Sequence, residues 1–427
     1  MNEMSKIEDK FLEVAEKLSK QKYLEAIRNA FITILPITVM GGLVSVISSA
    51  PVTPHTKNAF LLAWASFVKS NSLILTWINT LTLGAMAIFV CLTITWYLCK
   101  HYQISALTPL LLSFFGIMIL TAKPTKLTFN QKMVEISYID GKGLLIGIFV
   151  AIATVELYRF LKAKHFGEIH MPESVPASLS NTFASLSTSI VIMTFFSAIF
   201  IIFNKNHTTL AQWFTKIITP GLKATDSIWF VLIMTIIISI GWFFGIHNAT
   251  FWGLMGPIMF INLSANAAAN ATGHVPPTFL TEATWAYFIQ IGGVGCALPL
   301  AMLLLFSKSE QMRAVGKMGL IPSFFGISEP ITFGLPVMLN PIMFIPAFLA
   351  PTVNAILTWL AMSLHLVKKT FAMLSFNMPS IFGSYFATSD FKGPVLIIIL
   401  VIIDMAIYFP FMKVYEKAQL KEELGTN

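Results

Sequence analysis

Two side chains stand out for the chemistry their surroundings would ask of them. Glu329 lies in the stretch Gly326-Ile327-Ser328-Glu329-Pro330-Ile331-Thr332-Phe333-Gly334-Leu335-Pro336, and from Met318 to Leu364 no other Asp, Glu, Lys or Arg occurs. His247 closes the run Trp242-Phe243-Phe244-Gly245-Ile246-His247, just before Asn248, inside a segment from Ser227 to Thr281 with no Asp, Glu, Lys or Arg. A charged side chain at the centre of an apolar span costs roughly 2.5–3.5 kcal/mol on insertion scales, so a carboxyl kept there needs partners or a proton. An ionised carboxylate only accepts hydrogen bonds, which suits hydroxyl donors, whereas imidazole both donates and accepts. The pair fits a polar, hydroxyl-rich solute in an aqueous cavity. The plainer readings stay open: Glu329 as an acceptor for backbone N–H groups where a broken helix starts, and His247 as a satisfied packing residue.

Around these two, Asn248 and Asn340 offer amide hydrogen bonds, and Trp242, Trp252 and Trp285 offer ring faces for stacking on a hydroxyl-bearing solute, with packing or a membrane-interface position as the alternative for each. Gly292-Gly293 and Gly295 lack the flanking strand and polar helix start of a phosphate-cradling loop, and close packing accounts for them better. Zinc-type His and Glu spacing, a P-loop, a Ser hydrolase elbow and a dinucleotide fingerprint are all missing from the sequence. No metal and no cofactor is therefore expected, and energy for uphill work would come from an ion gradient or a partner protein. Cys91, Cys99 and Cys296 each sit in an apolar stretch without redox or metal spacing and read as packing residues.

The elements that must position these groups are membrane spans. Of 427 residues, 56% are hydrophobic and 11% charged, with a mean hydropathy of +0.75; soluble domains carry roughly 25% charged residues. Apolar runs long enough to cross a bilayer recur at about 26–49, 75–98, 105–121, 143–161, 182–203, 228–246, 251–271, 283–306, 337–364 and 395–412. The expected class is an all-α polytopic membrane protein with about ten transmembrane helices. The formal charge of +8 is scattered over short loops, which points to lipid headgroups and orientation and away from nucleic acid. Lys and Arg flank the spans so that both termini fall on the cytoplasmic side. Residues 1–25 read as a cytoplasmic amphipathic helix and not a signal peptide, 26–206 as a scaffold and dimerisation half, and 207–227, with Trp213 and Phe214, as an interfacial connector. Residues 228–412 read as the substrate-binding half and 413–427 as a cytoplasmic tail. Period-two alternation near 127–129 and 134–139 predicts a small external hairpin. Prolines at 322, 330, 336, 341, 346 and 351 interrupt the second half. Irregular backbone at membrane depth survives only where protein or a wet cavity covers it, so this half is expected to form re-entrant hairpins around a substrate site.

Four stretches resemble a known family: KYLEAIRNAFITILPITVMGG (22–42), MPESVPASLSNTFASL (171–186), FFGIHN (243–248) and GISEPITFGLPVMLNPIMFIP (326–346). In this order they are similar to the enzyme IIC permease subunit of bacterial sugar phosphotransferase systems, in the lactose, cellobiose and diacetylchitobiose branch. The resemblance implies a homodimer in the bacterial inner membrane, ten spans, and two re-entrant hairpins holding a disaccharide. It implies that Glu329 and His247 hydrogen-bond the sugar, and that a separate phosphorylated subunit, enzyme IIB, phosphorylates the sugar 6-hydroxyl. Glu329 would then act as a base on that hydroxyl or as a clamp for it. Asn248 stands where many members have Gly, which bears on sugar preference, and no phosphate-carrying domain follows Met412 in this sequence. From residue physics alone, an ion-coupled secondary sugar transporter would use the same broken helices and buried carboxylate. A lipid-modifying membrane transferase would need clustered acids, which the site regions lack.

Overall fold

A computed structural model describes residues 21–50, 52, 56–124, 134–135, 138–167, 185–244, 246, 248–335, 337 and 340–423. These are almost entirely helical. In chain order they form α1 (Lys22–Thr33), α2 (Leu35–Ser48), α3 (Ala59–Ser70), α4 (Ser72–Leu81), α5 (Met86–His101), α6 (Leu107–Thr121), α7 (Leu144–Ala163), α8 (Leu186–Lys205) and α9 (Leu210–Thr225). Then come α10 (Ile228–Phe243), α11 (Ala249–Ala271), α12 (Ala297–Leu304), α13 (Glu310–Phe324), α14 (Glu329–Gly334), α15 (Pro341–Ser363), α16 (Ser380–Thr388) and α17 (Lys392–Glu423). Among the described residues, five helical stretches are long and apolar enough to cross a membrane: 72–101, 141–163, 186–205, 342–363 and 392–421. Counting the bent pair α1 and α2 as one span brings the number to six. Helices α3, α6 and α10 are apolar but shorter.

The expected run 251–271 is helical as α11, but Asn262, Asn266 and Asn270 dilute its apolarity. The expected run 283–306 is broken into a short turn at Glu282–Thr284, a wide helical turn at Trp285–Ile289, a glycine turn and α12. A short antiparallel pairing joins Lys123–Pro124 to Val134–Glu135; the strand expected at 127–129 lies outside the described residues. Residues 1–20 of the helix expected over 1–25, most of the 171–186 motif, and the end of the tail also lie outside them, while 22–25 open α1.

The described residues fall into two compact units. One comprises Lys20–Ile37 and Thr80–Leu222. Its centre is a stripe on α5, where Met86, Val90, Ile94 and Leu98 recur every four residues and are fully buried. On α7, Gly147 lets α5 come close: a Cβ there would stand 2.7 Å from the Ala87 carbonyl oxygen. Gly116 of α6 plays the same part against the Phe196 ring of α8.

The other unit comprises Thr38–Asn79 and Lys223–Asn427. Residues 38–79, which the sequence division placed with the first half, are tied into this unit by specific contacts. Asn270 Nδ2 donates to Ser49 Oγ at 2.9 Å, and the backbone of Gly42 lies against the Met373 carbonyl with no room for a side chain. The core of this unit runs through α12, α13, α14, α15 and α17, from Cys296 and Leu300 to Ile331, Met343, Tyr408 and Met412. All three cysteines are buried and free.

Candidate functional site

Glu329 owes its place to two chain punctuation marks. Helix α13 starts at Ser309, whose Oγ accepts from Met312 N at 3.2 Å, and stops at Gly326 in a left-handed conformation with φ +78°. Ile327 N donates to Pro322 O and Gly326 N to Ser323 O, both at 3.0 Å. These two bonds form a Schellman stop, which requires a residue free to take positive φ. The chain then restarts within three residues: Ser328 O accepts from Ile331 N at 3.1 Å and from Thr332 N at 3.0 Å, so α14 begins with Glu329 in its first turn. Glu329 is half-buried and Ser328 is 2% exposed. The acid thus sits at the break between two helices, where an acidic residue in a first turn is electrostatically favoured.

A second broken element faces this one. Between the wide turn at 285–289 and α12, Gly292, Gly293, Gly295 and Cys296 all have positive φ. A Cβ on Gly293 would stand 2.7 Å from Ser328 Cβ, 2.9 Å from Gly326 O and 3.0 Å from Ser328 N. The glycines therefore serve both turn geometry and close approach, because any side chain at 293 would push Ser328 away. Between these breaks runs a narrow cleft of about 20 Å³, lined by Trp242, Gly295, Ile331, Thr332, Phe344 and Tyr408 among others. That is room for about one water-sized sphere.

The residues singled out from the sequence divide as follows. Trp242 lines the cleft beside Ile331 and Thr332, which follow Glu329 by two and three residues; Glu329 itself is not in the cleft wall. Asn340 Oδ1 accepts from Ile342 N at 3.0 Å and Met343 N at 3.3 Å, so its carboxamide oxygen caps α15. Asn248 opens α11, with its carbonyl accepting from Phe251 N at 2.9 Å and its side chain making no cap bond. Trp252 is half-buried on α11. Trp285 is 3% exposed in the wide turn and does not line the cleft. His247 lies outside the described residues.

Several polar groups that sequence reasoning passed over hold the broken elements in place. Asp226 Oδ1 accepts from Phe279 N at 2.8 Å and Leu280 N at 2.7 Å. Burial pushes its carboxyl up from the ordinary value, against the pull of these two N–H groups and of Lys369. Asn266 Nδ2 donates to Thr278 O at 2.8 Å and Thr370 O at 2.7 Å, while its oxygen accepts from Thr278 N at 2.9 Å. Glu282 is 3% exposed, with Oε2 lacking a hydrogen-bond partner. Asp404, fully buried in α17, accepts from Asn354 Nδ2 of α15 at 2.9 Å. The signal for Asp404 was available: it is the lone charge in the apolar run 393–412.

The comparisons with known proteins agree with this architecture. The family model described as phosphotransferase system, EIIC, matches residues 28–351. The chain belongs to the phosphotransferase-system EIIC family. Its similarity to single members extends over nearly the full length of this chain. The oligo-beta-mannoside-specific EIIC component of Bacillus subtilis (strain 168) is 30% identical over 98% of this chain and 95% of its own. The lichenan permease IIC component of the same organism is 27% identical over 99% and 96%. The lactose-specific EIICB component of Staphylococcus aureus (strain N315) is 30% identical over 96% of this chain and 72% of its own length. The crystal structure of the transporter ChbC, the IIC component from the N,N'-diacetylchitobiose-specific phosphotransferase system, superposes with a TM-score of 0.87. It is 27% identical and covers 97% of this chain and 98% of its own. The family consists of membrane permeases, and the membrane-length apolar helices of this member accord with that.

Proposed function

We propose that this EIIC permease imports a disaccharide of the cellobiose, lactose or diacetylchitobiose class and presents its 6-hydroxyl to a separate phosphorylated EIIB subunit. The observation that carries the reading is the seating of Glu329. A carboxyl stands at the break between α13 and α14, one residue after Ser328, which the glycine turn backs, and two residues before the Ile331–Thr332 wall of the Trp242 cleft. The relatives named above, whose printed substrates are oligo-beta-mannosides, lichenan, lactose and diacetylchitobiose, support a sugar as the solute.

In this reading Glu329 and His247 accept and donate hydrogen bonds with sugar hydroxyls, Trp242 offers a ring face, and Asn248, Asn340, Trp252 and Trp285 are further contacts or supports. Glu329 orients the 6-hydroxyl and takes its proton as that oxygen is phosphorylated by the partner subunit. Small-molecule sites enclose about 300–1,000 Å³, so a cleft now about 20 Å³ must widen to admit a disaccharide. The same reading holds the chain to about ten crossings, two re-entrant hairpins in the C-terminal half, cytoplasmic termini, and a homodimer. Residues 26–206, apart from 38–79, which are tied to the second half, supply its scaffold and dimer contacts, and 228–412 supply the sugar site.

The test is equilibrium sugar binding to purified, folded protein. Glu329→Gln and His247→Ala are each expected to weaken affinity at least about tenfold, the scale of a lost charge-assisted or buried hydrogen bond. Unchanged affinity in both moves the site elsewhere. Membrane vesicles that accumulate unmodified sugar under an ion gradient, with no phosphoryl donor present, would instead establish ion-coupled transport.

A further inference from the structure

The glycine turn that backs Ser328 is itself held from behind by a buried polar cluster. Cys296 closes the turn, and its Sγ lies 3.4 Å from Ile289 O and 3.3 Å from Asn354 Nδ2. Tyr408 donates its hydroxyl to the carbonyl of Gly295. Asn354 Nδ2 also donates to Asp404 Oδ2 at 2.9 Å. Cys296, Asn354 and Asp404 are all 0% exposed. Two acceptor atoms in this cluster are left over: Asp404 Oδ1 and Asn354 Oδ1 are buried and have no hydrogen-bond partner.

A single proton resolves both vacancies. A carboxylate and a carboxamide oxygen both only accept, so with Asp404 ionised neither Oδ1 can serve the other. With a proton on Asp404 Oδ1, that oxygen donates to Asn354 Oδ1 while Asn354 Nδ2 donates to Asp404 Oδ2. Together with the observed Asn354 Nδ2–Asp404 Oδ2 bond, a proton shared between the two Oδ1 atoms would close a ring of two antiparallel hydrogen bonds between an acid and an amide. It also removes an uncompensated charge from a carboxyl with no cation among its hydrogen-bond partners, and buried unpaired charges are the costliest groups to keep. The titratable groups that face Asp404 are Cys296 across from it and Tyr408 one turn along its own helix; neither supplies a positive charge.

We propose that Asp404 is a neutral carboxylic acid paired in a ring with Asn354, and that this pair is a positioning device for the Gly292–Cys296 turn on which Ser328, and through it Glu329, is seated. It joins α15 to α17 and presents the Asn354 amide to the Cys296 thiol, while Tyr408 fixes the adjacent Gly295 carbonyl. The functional consequence rests on Glu329 being a sugar ligand; the pairing itself does not.

The structure supplies its own probe, because Cys296 is buried at the end of the turn. Full-length protein in detergent is compared as wild type, Asp404→Asn and Asp404→Ala by two measurements without sugar. The first is infrared absorption at neutral pH in the carboxylic-acid C=O region. The second is the rate of Cys296 alkylation by a small permeant maleimide, resolved by mass spectrometry from Cys91 and Cys99. A second amide at 404 can close the same ring without a proton. The acid band is therefore expected in wild type and lost in Asp404→Asn, with Cys296 equally protected in both. In Asp404→Ala the Asn354 amide loses its partner, and Cys296 is expected to react about tenfold faster or more. No acid band that depends on Asp404 overturns the protonated pair. Cys296 in Asp404→Asn reacting as fast as in Asp404→Ala, or in Asp404→Ala as slowly as in wild type, overturns the positioning role. Because neither measurement contains sugar, both outcomes are independent of the Glu329 binding test.

Discussion

Gly293→Ala tests whether the seat under Glu329 is a matter of atomic contact. Its φ of +103° lies outside what side-chain-bearing residues adopt, which costs about 1–3 kcal/mol by itself. The added methyl would stand 2.7 Å from Ser328 Cβ and 2.9 Å from Gly326 O. Relieving such overlap in a packed region costs roughly another 1–3 kcal/mol. Gly273→Ala is the matched control: φ is +75° and nothing lies within 4 Å of the would-be methyl, so only the backbone component, about 1–3 kcal/mol, applies. The difference between the two variants isolates the push on Ser328. In purified protein, Gly293→Ala is expected to lower the apparent Tm further than Gly273→Ala. It is also expected to weaken sugar binding about tenfold or more, because Ser328 moves and carries Glu329 with it; Gly273→Ala should leave affinity near wild type. If the two variants match in Tm and both bind sugar normally, the glycine turn does not hold Glu329 in place.

Two further substitutions probe the frame around the site. Asn266→Ala removes the side chain that serves Thr278 and Thr370 at once, leaving buried backbone groups unpaired at about 1–3 kcal/mol each. A fall in apparent Tm of several degrees is expected, and an unchanged melting curve would show that water replaces those bonds. For Asp226 the expectation concerns pH. Burial raises its folded-state pKa above the ordinary carboxylate value. The folded state thus holds the proton more tightly than the unfolded chain, and the stability it contributes is fullest in acid and declines as pH rises through the ordinary value to the raised one. Asp226→Asn keeps an acceptor for Phe279 N and Leu280 N but cannot titrate. The Tm difference between variant and wild type should therefore grow in the variant's favour across the mildly acidic range, and a pH-independent difference contradicts the assignment.

The helical membrane class, and the fact that the second half is interrupted, were legible in the sequence because both follow from local composition; the break within 283–306 was not placed. Apolar length marks candidate spans, and the Gly and Pro residues around Glu329 mark an interruption there; that α13 stops at Gly326 and α14 starts at Glu329 is seen only in the structure. What local composition does not carry is pairing across distance. That Gly293 faces Ser328, or that Asn266 bridges Thr278 and Thr370, depends on contacts between elements far apart in the chain. Residues 38–79 illustrate the same limit: hydropathy places them in the first half, but their partners Asn270 and Met373 belong to the second.

Glu329 and Asp404 show how the same signal divides. Each is a lone acid in a long apolar run, and the cost of a charge in hydrocarbon applies equally to both. The prolines and glycines around Glu329 mark it as belonging to a break, where backbone leaves the helix and a cavity can form. Around Asp404 the run PVLIIILVIID is regular helix, so the acid cannot reach a break of its own and must be satisfied by neighbours on other elements. It finds one of them in Asn354, on α15. An acid at a break is placed to meet a solute, while an acid within an unbroken helix is placed to meet protein, and the backbone context separates the two roles before any contact is known. The infrared band of Asp404 and the sugar affinity of Glu329→Gln test the two halves of that distinction separately.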